Sequence, residues 1–218
     1  GIELGIGTDP VNPDTDADGL LDGVEHWGDY SGESCSRLTH ICTEYSGSTD
    51  PNVPDTDGDG LLDGQEDTNQ NGVWDAVKHG EGWYEGETNP IMPDTEGDHL
   101  LDGAEDANSD GIVDPGESDP LHWDSDGDKV PDQREVEVYL TDPLKPDTDG
   151  DGLLDGVEIT WFAASPSNQT DPTKPDTDGD GLTDGEEVDA GSDPLHEDSD
   201  WDGFSDPEEL AAGTDPAD

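Results

Sequence analysis

Acidic side chains recur along this 218-residue chain at a spacing that suits metal binding. Asp147, Asp149, Asp151 and Asp155 lie at positions 1, 3, 5 and 9 of a twelve-residue stretch that Glu158 closes. Calcium takes about six to eight hard oxygen ligands, and an EF-hand loop supplies them from positions 1, 3, 5, 7, 9 and 12. The spacing therefore predicts a calcium loop, in which the position-9 carboxylate binds the ion directly or through water.

Two uncharged positions of the same stretch support this interpretation. Gly152 lies at position 6, where the sharp turn needs backbone angles that a side chain makes unfavourable. Leu153 lies at position 7, where the backbone carbonyl is the ligand and the side chain is expected to pack on the next unit. A solvated acidic surface would not repeat a Gly and an apolar residue in this register, so we favour ion binding.

The pattern recurs nine times, and six copies match it fully: 14–25, 55–66, 106–117, 147–158, 176–187 and 198–209. The predicted calcium ligands of these six loops are Asp14, Asp16, Asp18, Leu20, Asp22, Glu25, Asp55, Asp57, Asp59, Leu61, Asp63, Glu66, Asp106, Asn108, Asp110, Ile112, Asp114, Glu117, Asp147, Asp149, Asp151, Leu153, Asp155, Glu158, Asp176, Asp178, Asp180, Leu182, Asp184, Glu187, Asp198, Asp200, Asp202, Phe204, Asp206 and Glu209.

Three further loops depart from the pattern, and they begin at residues 67, 94 and 124. Their predicted ligands are Asp67, Asn69, Asn71, Val73, Asp75, Glu87, Asp94, Glu96, Asp98, Leu100, Asp102, Glu105, Asp124, Asp126, Asp128, Val130, Asp132 and Glu135. Glu96 at position 3 and His99 at position 6 should weaken loop 94–105, and Lys129 at position 6 should strain loop 124–135.

Loop 67–78 has no acid at position 12, where Lys78 stands. The phrase at residues 86–90 matches the phrase at residues 116–120, which contains the closing Glu117 of its own loop. We therefore expect Glu87 to close loop 67–78 across an insertion, with Glu81 as the competing candidate.

The overall charge argues for the same conclusion. The chain has 61 Asp+Glu against 6 Lys+Arg, a formal net charge of -55, and only 27% of its residues are hydrophobic. Such a chain cannot bury enough apolar area to fold alone, unless bound cations act as its core. A halophilic surface is the alternative, but its acidity would be scattered rather than periodic. We predict a mostly irregular, calcium-stabilised array of tandem loops, with short helical turns, few strands and no conventional hydrophobic core.

Residues 1–218 are predicted to form one continuous array, with insertions at about 26–48, 76–86 and 160–169. The insertions hold most of the aromatic residues, which either pack over the loops or form a contact surface for a partner. Residues 207–213 have a helix-start Pro and a helix-stop Gly. Residues 135–140 suit a short strand or a turn of helix.

Most units open with Thr-Asp-Pro or Ser-Asp-Pro. The Asp of this phrase is either a further calcium ligand or a turn-forming residue, as at Asp50, Asp142, Asp171 and Asp193. Cys35 and Cys42 are predicted to form a local disulfide in an oxidising compartment.

These phrases, above all Pro-Asp-Thr-Asp-Gly-Asp-Gly-Leu at residues 54–61 and 146–153, resemble thrombospondin type 3 repeats in their bacterial or archaeal form. The resemblance covers most of the chain outside the insertions. It implies loops that wind around a line of calcium ions, in a secreted or cell-surface protein that often serves as a stalk or spacer. The chain lacks the regular disulfides of the animal proteins.

The expected cofactor is calcium, about nine ions or more, and an enzyme is not expected. Nucleic acid is excluded as a partner because phosphate binding needs Lys and Arg, and no apolar run approaches a membrane span. The chain starts at Gly1 and its single Met is Met92, so we expect a processed or excised piece. The resemblance implies an extracellular location, secreted or at the cell surface.

Two functions compete. The first is a structural stalk, spacer or filament subunit. Residues 3–10 align with residues 209–216, so two half-units could complement each other head to tail, unless the piece was cut from a longer array. The second is a calcium-dependent adhesion or recognition module that binds protein or glycan through the aromatic insertions.

Overall fold

The computed structural model describes residues 7–35, 42–79, 83–161 and 169–217. They divide between two compact units, Gly1–Ser125 and Asp126–Asp218. Most of the described residues lie in turns and irregular structure, and every helix and strand is short. The predicted mostly irregular fold with short helical turns and few strands is therefore confirmed.

The described residues of the first unit form three short helices and two small sheets. The helices are α1 (Asp22–Trp27), α2 (Asp63–Glu66) and α3 (Asp102–Glu105), and the strands are β1 (Gly32–Cys35), β2 (Cys42–Tyr45), β3 (Val77–Lys78) and β4 (Tyr84–Glu85). Each sheet is an antiparallel pair, β1 with β2 and β3 with β4. Both pairs lie in the first two predicted insertions, and the register places Cys35 opposite Cys42, although their disulfide stays a prediction.

The second unit contains helices α4 (Asp132–Arg134), α5 (Asp155–Trp161), α6 (Asp184–Ala190) and α7 (Asp206–Ala212). A π-helical segment, Glu135–Tyr139, continues α4 and ends at Leu140, so residues 135–140 are helical rather than extended. Helix α7 has Pro near its start and ends at Gly213 with φ 78°, as the sequence predicts. The third predicted insertion falls largely on residues 162–168, outside the described part of the chain.

Every one of these helices begins at position 9 of a loop with an acid at position 3, which we call an Asp loop. The backbone N–H of the position-9 residue donates to the residue just before the loop, as Asp63 N does to Pro54 O at 3.1 Å and Asp155 N to Pro146 O at 3.0 Å. Residues three apart on a helix share a face. The helix therefore places the position-12 Glu beside the position-9 Asp.

The interior of the described part contains more acids than apolar side chains. Its buried hydrophobic residues are Leu20, Tyr30, Leu61, Tyr84, Met92, Val130 and Ile159, and the buried Asp and Glu residues outnumber them. Three of the apolar residues, Leu20, Leu61 and Val130, are position-7 side chains. Burying so many ionisable groups is costly unless each finds a partner.

Successive Asp loops pack together through the Gly at position 10. A Cβ on Gly64 would lie 2.6 Å from the backbone oxygen of Asp18, and one on Gly103 would lie 2.6 Å from that of Asp59. Gly103 N also donates to Asp59 Oδ2 at 3.1 Å. Only Gly fits so close to another backbone.

The second unit repeats the contact at two further glycines. Gly156 packs on the backbone of Asp128 and Gly185 on that of Asp151. Gly185 N donates to Asp151 Oδ2 at 3.0 Å. Each unit is therefore a stack of Asp loops. No helix in the described ranges is long and apolar enough to cross a membrane.

Candidate metal centres

The closing Glu of each complete Asp loop is buried without a hydrogen-bond partner for at least one oxygen. Among the described residues, both carboxylate oxygens of Glu25, Glu66 and Glu187 and Oε2 of Glu158 accept no hydrogen bond. Burial, and then the neighbouring carboxylates, raise the pKa of Glu25 and Glu187 to about 8 and that of Glu66 well above its usual value. A buried carboxylate in this state lacks a cation or a proton.

Positions 3 and 5 form a chain of side-chain to backbone hydrogen bonds. Asp57 Oδ1 accepts from Asp59 N at 3.3 Å, and Asp59 Oδ1 accepts from Leu61 N at 2.7 Å. These bonds hold one oxygen of each carboxylate and leave Asp57 Oδ2 buried and unpartnered in the described structure. Oxygens of Asp55, Asp57 and Asp59 lie within 4.8 Å of one another. Burial and Asp59 raise the pKa of Asp57 to about 7.

Each Asp loop has left-handed backbone at two positions, 4 and 6. Gly150 has φ 83° and Gly152 has φ 106°, and Asp147 Oδ1 accepts from Gly150 N at 2.7 Å. From the sequence, left-handed backbone was predicted only at position 6. His99 and Lys129 adopt φ 83° and 84° at position 6, so the predicted strain is present, at roughly 1–2 kcal/mol for a residue with a Cβ.

The position-9 Asp is held by the hydroxyl residue at position 2. Thr56 N donates to Asp63 Oδ1 at 2.7 Å, and Thr56 Oγ1 donates to Asp63 Oδ2 at 2.7 Å. The same double contact is made by Thr15, Thr95, Thr148, Thr177 and Ser199 in their loops. The sequence analysis missed this role, although a Thr or Ser at position 2 was visible in each of these loops.

The Thr-Asp-Pro phrase that precedes an Asp loop is hydrogen-bonded to the hydroxyl at position 2 of that loop. Asp50 N donates to Thr56 Oγ1 at 3.0 Å, and Asp50 Oδ1 accepts from Asn52 N at 3.1 Å. Asp142 makes the equivalent turn with Leu144 N at 3.2 Å, and its ion pair with Lys145 lowers its pKa. These contacts are those of turn-forming residues and favour the turn interpretation of the Thr-Asp-Pro aspartates over the ligand interpretation.

Carboxylates of neighbouring Asp loops also meet at the junctions. Oxygens of Asp18 and Glu25 lie within 4.8 Å of Asp63 from the next loop, and all three residues are buried. Asp59, Glu66 and Asp102 form a second such junction group. Each group combines positions 5 and 12 of one loop with position 9 of the next. The sequence analysis assigned these residues to separate loops and did not predict the groups.

The junction arrangement extends into the second unit. Burial, and then carboxylates that include Asp206 at position 9 of loop 198–209, raise the pKa of the closing Glu187. Burial, and then Asp151 of the preceding loop, raise the pKa of Asp184. In loop 94–105, Glu96 stands at position 3 in place of the usual Asp, and it is buried. One of its oxygens lies within 4.8 Å of oxygens of Asp94 and Asp102, and neither of its oxygens accepts a hydrogen bond in the described structure.

Loops 67–78 and 106–117 have Asn at position 3, and we call them Asn loops. In the second of these, Glu117 Oε2 accepts from Asp114 N at 2.9 Å and Glu117 Oε1 accepts from Asn108 N at 3.2 Å. Asn108 Nδ2 donates to Asp114 Oδ2 at 3.1 Å. These protein groups occupy carboxylate oxygens that the calcium template assigns to the ion.

Glu87 reaches back onto the other Asn loop. Its Oε1 accepts from Asp75 N at 3.1 Å, and its Oε2 accepts from Asn69 Nδ2 at 3.1 Å and Thr68 Oγ1 at 3.2 Å. The structure thus places Glu87 where the sequence expects a closing residue, whereas Glu81 lies outside the described residues. Its role as a ligand stays a prediction.

The first insertion is anchored on the same Asn loop. Tyr30 is fully buried, its hydroxyl donates to Asp67 Oδ2 at 2.8 Å, and Asn89 Nδ2 donates to its carbonyl at 2.9 Å. Tyr84 is buried as well, whereas Trp27 and Trp83 are exposed. The described aromatic residues therefore include both packed and surface members.

The donor set of these groups suits calcium. The junction groups consist of carboxylates alone, several of their oxygens have no protein donor in the described structure, and desolvation raises many of their pKa values. Calcium prefers hard oxygen ligands in flexible numbers, and carboxylates from three positions supply them.

Comparison with known families agrees with this chemistry. The model of the bacterial TSP3 repeat matches residues 55–70, 147–160, 176–196 and 198–218, about a third of the chain, and each segment contains or begins an Asp loop. The resemblance predicted from the sequence is confirmed for these four segments. No curated protein and no solved structure gives a match to the chain.

Proposed function

We propose that this chain, with its bacterial TSP3 repeats, is an extracellular structural protein, a stalk, spacer or filament subunit that a line of calcium ions makes rigid. The observation that carries the proposal is the buried, unpartnered closing Glu, repeated in register at Glu25, Glu66, Glu158 and Glu187. Without cations these carboxylates repel one another inside the protein. Calcium removes that repulsion, so binding energy becomes folding energy.

Each Asp loop would contribute to two ion sites. The first would use positions 1, 3, 5 and 12 with the position-7 carbonyl, and the second would be the junction group. Nine divalent ions would offset only about a third of the net charge of -55. The junction groups supply places for additional ions, so the proposed number exceeds one for each Asp loop.

Native mass spectrometry with and without calcium tests the proposal. We expect more than nine bound ions in calcium, and in EDTA an expanded chain with altered circular dichroism and rapid proteolysis. Magnesium at equal concentration is the control, and it should restore less protection because it keeps its waters and demands compact octahedral geometry. A chain that stays compact and protease-resistant in EDTA would contradict calcium-driven folding.

A single continuous array over residues 1–218 and a disulfide between Cys35 and Cys42 are parts of the same proposal. Directly opposed positions in an antiparallel pair lie about 4.5–5.5 Å apart at Cα, which is within the usual range for a disulfide. Intact mass under non-reducing alkylation checks the bond, since a bonded pair takes up no label.

Recognition through the exposed aromatic residues is the second candidate. The Trp83 ring lies 4.8 Å from the ring of His79 and 5.8 Å from that of His122, and its side chain is exposed. Retention on immobilised polysaccharides should then be lost in a Trp27→Ala, Trp83→Ala double variant that still binds calcium. Equal retention of the variant and the parent would reject this candidate. Deleting residues 26–48 is a poorer test, because it also removes the hydrogen bond from Tyr30 to Asp67.

A further inference from the structure

The contact between stacked Asp loops has two different faces. One loop offers the carboxylates at positions 5 and 12 and the apolar side chain at position 7, which we call the acceptor face. The next loop offers the position-9 Asp and the position-10 Gly, which we call the donor face. Where Leu61 meets Gly103, the position-7 side chain is buried and the Gly contacts backbone, and opposite Gly185 the equivalent Leu153 is half-buried.

The acceptor face of loop 198–209 is uncovered. Phe204 at position 7 is 60% exposed, whereas Leu20, at the same position of loop 14–25, is 0% exposed. Glu209 at position 12 is only 5% exposed, and its Oε2 accepts no hydrogen bond from the described residues. Burial, and then Asp200, Asp202 and Asp206 of its own loop, raise the pKa of Glu209. The carboxylates that raise the pKa of Glu66 after burial include Asp102 of the next Asp loop.

No described residue covers the donor face of loop 14–25. A Cβ on Gly23 would meet no described atom within 4 Å, whereas one on Gly64, Gly103 or Gly185 would meet backbone at 2.6 Å or less. Asp22 is buried, and Thr15 holds it by the same double hydrogen bond that orients Asp63 in its junction group. This face therefore has the geometry of a docking face that none of the described residues occupies.

We propose that these two faces join copies of the chain head to tail, with Asp22 of one copy completing a calcium site with Asp202 and Glu209 of another. The inference rests on the proposed function, because the junction groups inside the chain are its template. A second copy fits better than an unrelated partner, since the open faces reproduce the two halves of a contact already made within each unit. Both faces are acidic, so the contact requires a divalent cation.

Sedimentation velocity over a concentration series tests the proposal, with calcium and with EDTA. The parent chain should form dimers and longer species in calcium and monomers in EDTA. Gly23→Trp should remain monomeric in calcium, because a side chain of that size would not fit between the two faces, whereas the smaller Pro207 stands at position 10 of loop 198–209. A Cβ on Gly23 meets no described atom within 4 Å, so the variant should keep its fold.

Two further variants make the test specific. Phe204→Ser should weaken association from the acceptor side. Trp201→Ala is the matched control, because Trp201 is a 75% exposed aromatic on the same loop at position 4, and glycines at that position elsewhere, such as Gly150 and Gly179, contact nothing. It should associate like the parent.

The outcomes separate the inference from the function on which it rests. A parent chain that orders in calcium but stays monomeric overturns the head-to-tail contact alone. Association that Gly23→Trp and Phe204→Ser leave unchanged also overturns it. A chain that fails to order in calcium removes the proposed function, and the inference falls with it.

Discussion

Loops 55–66 and 106–117 both match the calcium template fully, yet they use their carboxylates differently. Glu66 is buried with two unpartnered oxygens in the described structure, whereas Glu117 is partly exposed and accepts from Asn108 N and Asp114 N. In the Asn loop two backbone N–H groups donate to Glu117, and the Asn108 side-chain amide donates to Asp114 Oδ2. In the described structure the Asp loop therefore leaves its closing carboxylate available to a cation, whereas protein groups occupy that of the Asn loop.

The two classes of loop also pack differently. Asn loops have Ala76 or Pro115 at position 10, where most Asp loops have Gly, although loops 124–135 and 198–209 have Gln133 and Pro207. The Asn loops contact the Asp loops through position 6 instead, since a Cβ on Gly111 would lie 2.6 Å from Gln65 O, and Gln65 Nε2 donates to Ser109 O at 2.7 Å. In the first unit the Asn loops thus contact the Asp loops through position 6 and not through the contact at position 10 that stacks the Asp loops.

Neutralising the closing Glu should separate the two classes most strongly. Glu66→Gln removes a carboxylate from both the loop site and the junction group, so we expect the loss of one or two ions and faster proteolysis of the first unit. Glu117→Gln, its counterpart in the Asn loop, should lose at most one weakly held ion. Native mass spectrometry at limiting calcium measures both, and equal losses would show that the loops do not differ.

Removing the hydroxyl at position 2 should have a smaller effect. Thr56→Val deletes the donor to Asp63 Oδ2 and the acceptor for Asp50 N. Such supporting contacts are typically worth about 10–100-fold in metal affinity. The matched control is Thr68→Val at position 2 of loop 67–78, where the hydroxyl makes a 3.2 Å contact with Glu87. Calcium titration by calorimetry should show a clear shift only for Thr56→Val, and similar shifts would count against the distinction.

The pH dependence should be the mildest effect. Burial raises the pKa of Glu25, Glu158 and Glu187 from 4.5 to about 8, so the compact ion-free state binds more protons than the expanded one. Its stability is therefore greatest below about pH 4.5 and falls as pH rises towards about 8. Calcium competes with these protons, so its affinity should rise over the same interval by up to about tenfold for each displaced proton and pH unit.

Titrations between pH 5 and pH 8 in buffers of different ionisation enthalpy check this expectation. They should show proton release on calcium addition. An affinity that is flat across the interval would mean that the closing Glu residues are already ionised before calcium binds. Glu66→Gln should reduce the proton release, because burial raises the pKa of Glu66 well above its usual value.

The sequence was most informative about position within a loop. The spacing predicted that the carboxylates of Asp57, Asp59 and Glu66 lie close together. The structure places Asp59 within 4.8 Å of Asp57 in one group and of Glu66 in another, because a twelve-residue loop leaves the backbone few alternatives. It also located helix α7 from Pro207 and Gly213. The expected strain at His99 and Lys129 followed from the same local geometry.

The sequence said less about contacts between loops. Nothing local to Asp63 indicates that it approaches Asp18 and Glu25, because those residues are far away in the chain and insertions of variable length intervene. Gly at position 10 was a visible signal, but its reason is a neighbouring backbone. Loop 106–117 was predicted to match the pattern fully, because the spacing does not show that Asn108 Nδ2 donates to Asp114 or that two backbone N–H groups donate to Glu117.

The junction groups connect each Asp loop to the next along a stack. A force that stretches the stack would have to separate Asp63 from Asp18 and Glu25, and Asp102 from Asp59 and Glu66. We therefore expect the resistance of the protein to stretching to depend on the calcium concentration around it. The stiffness of the protein would then rise and fall with the calcium concentration of the surrounding medium.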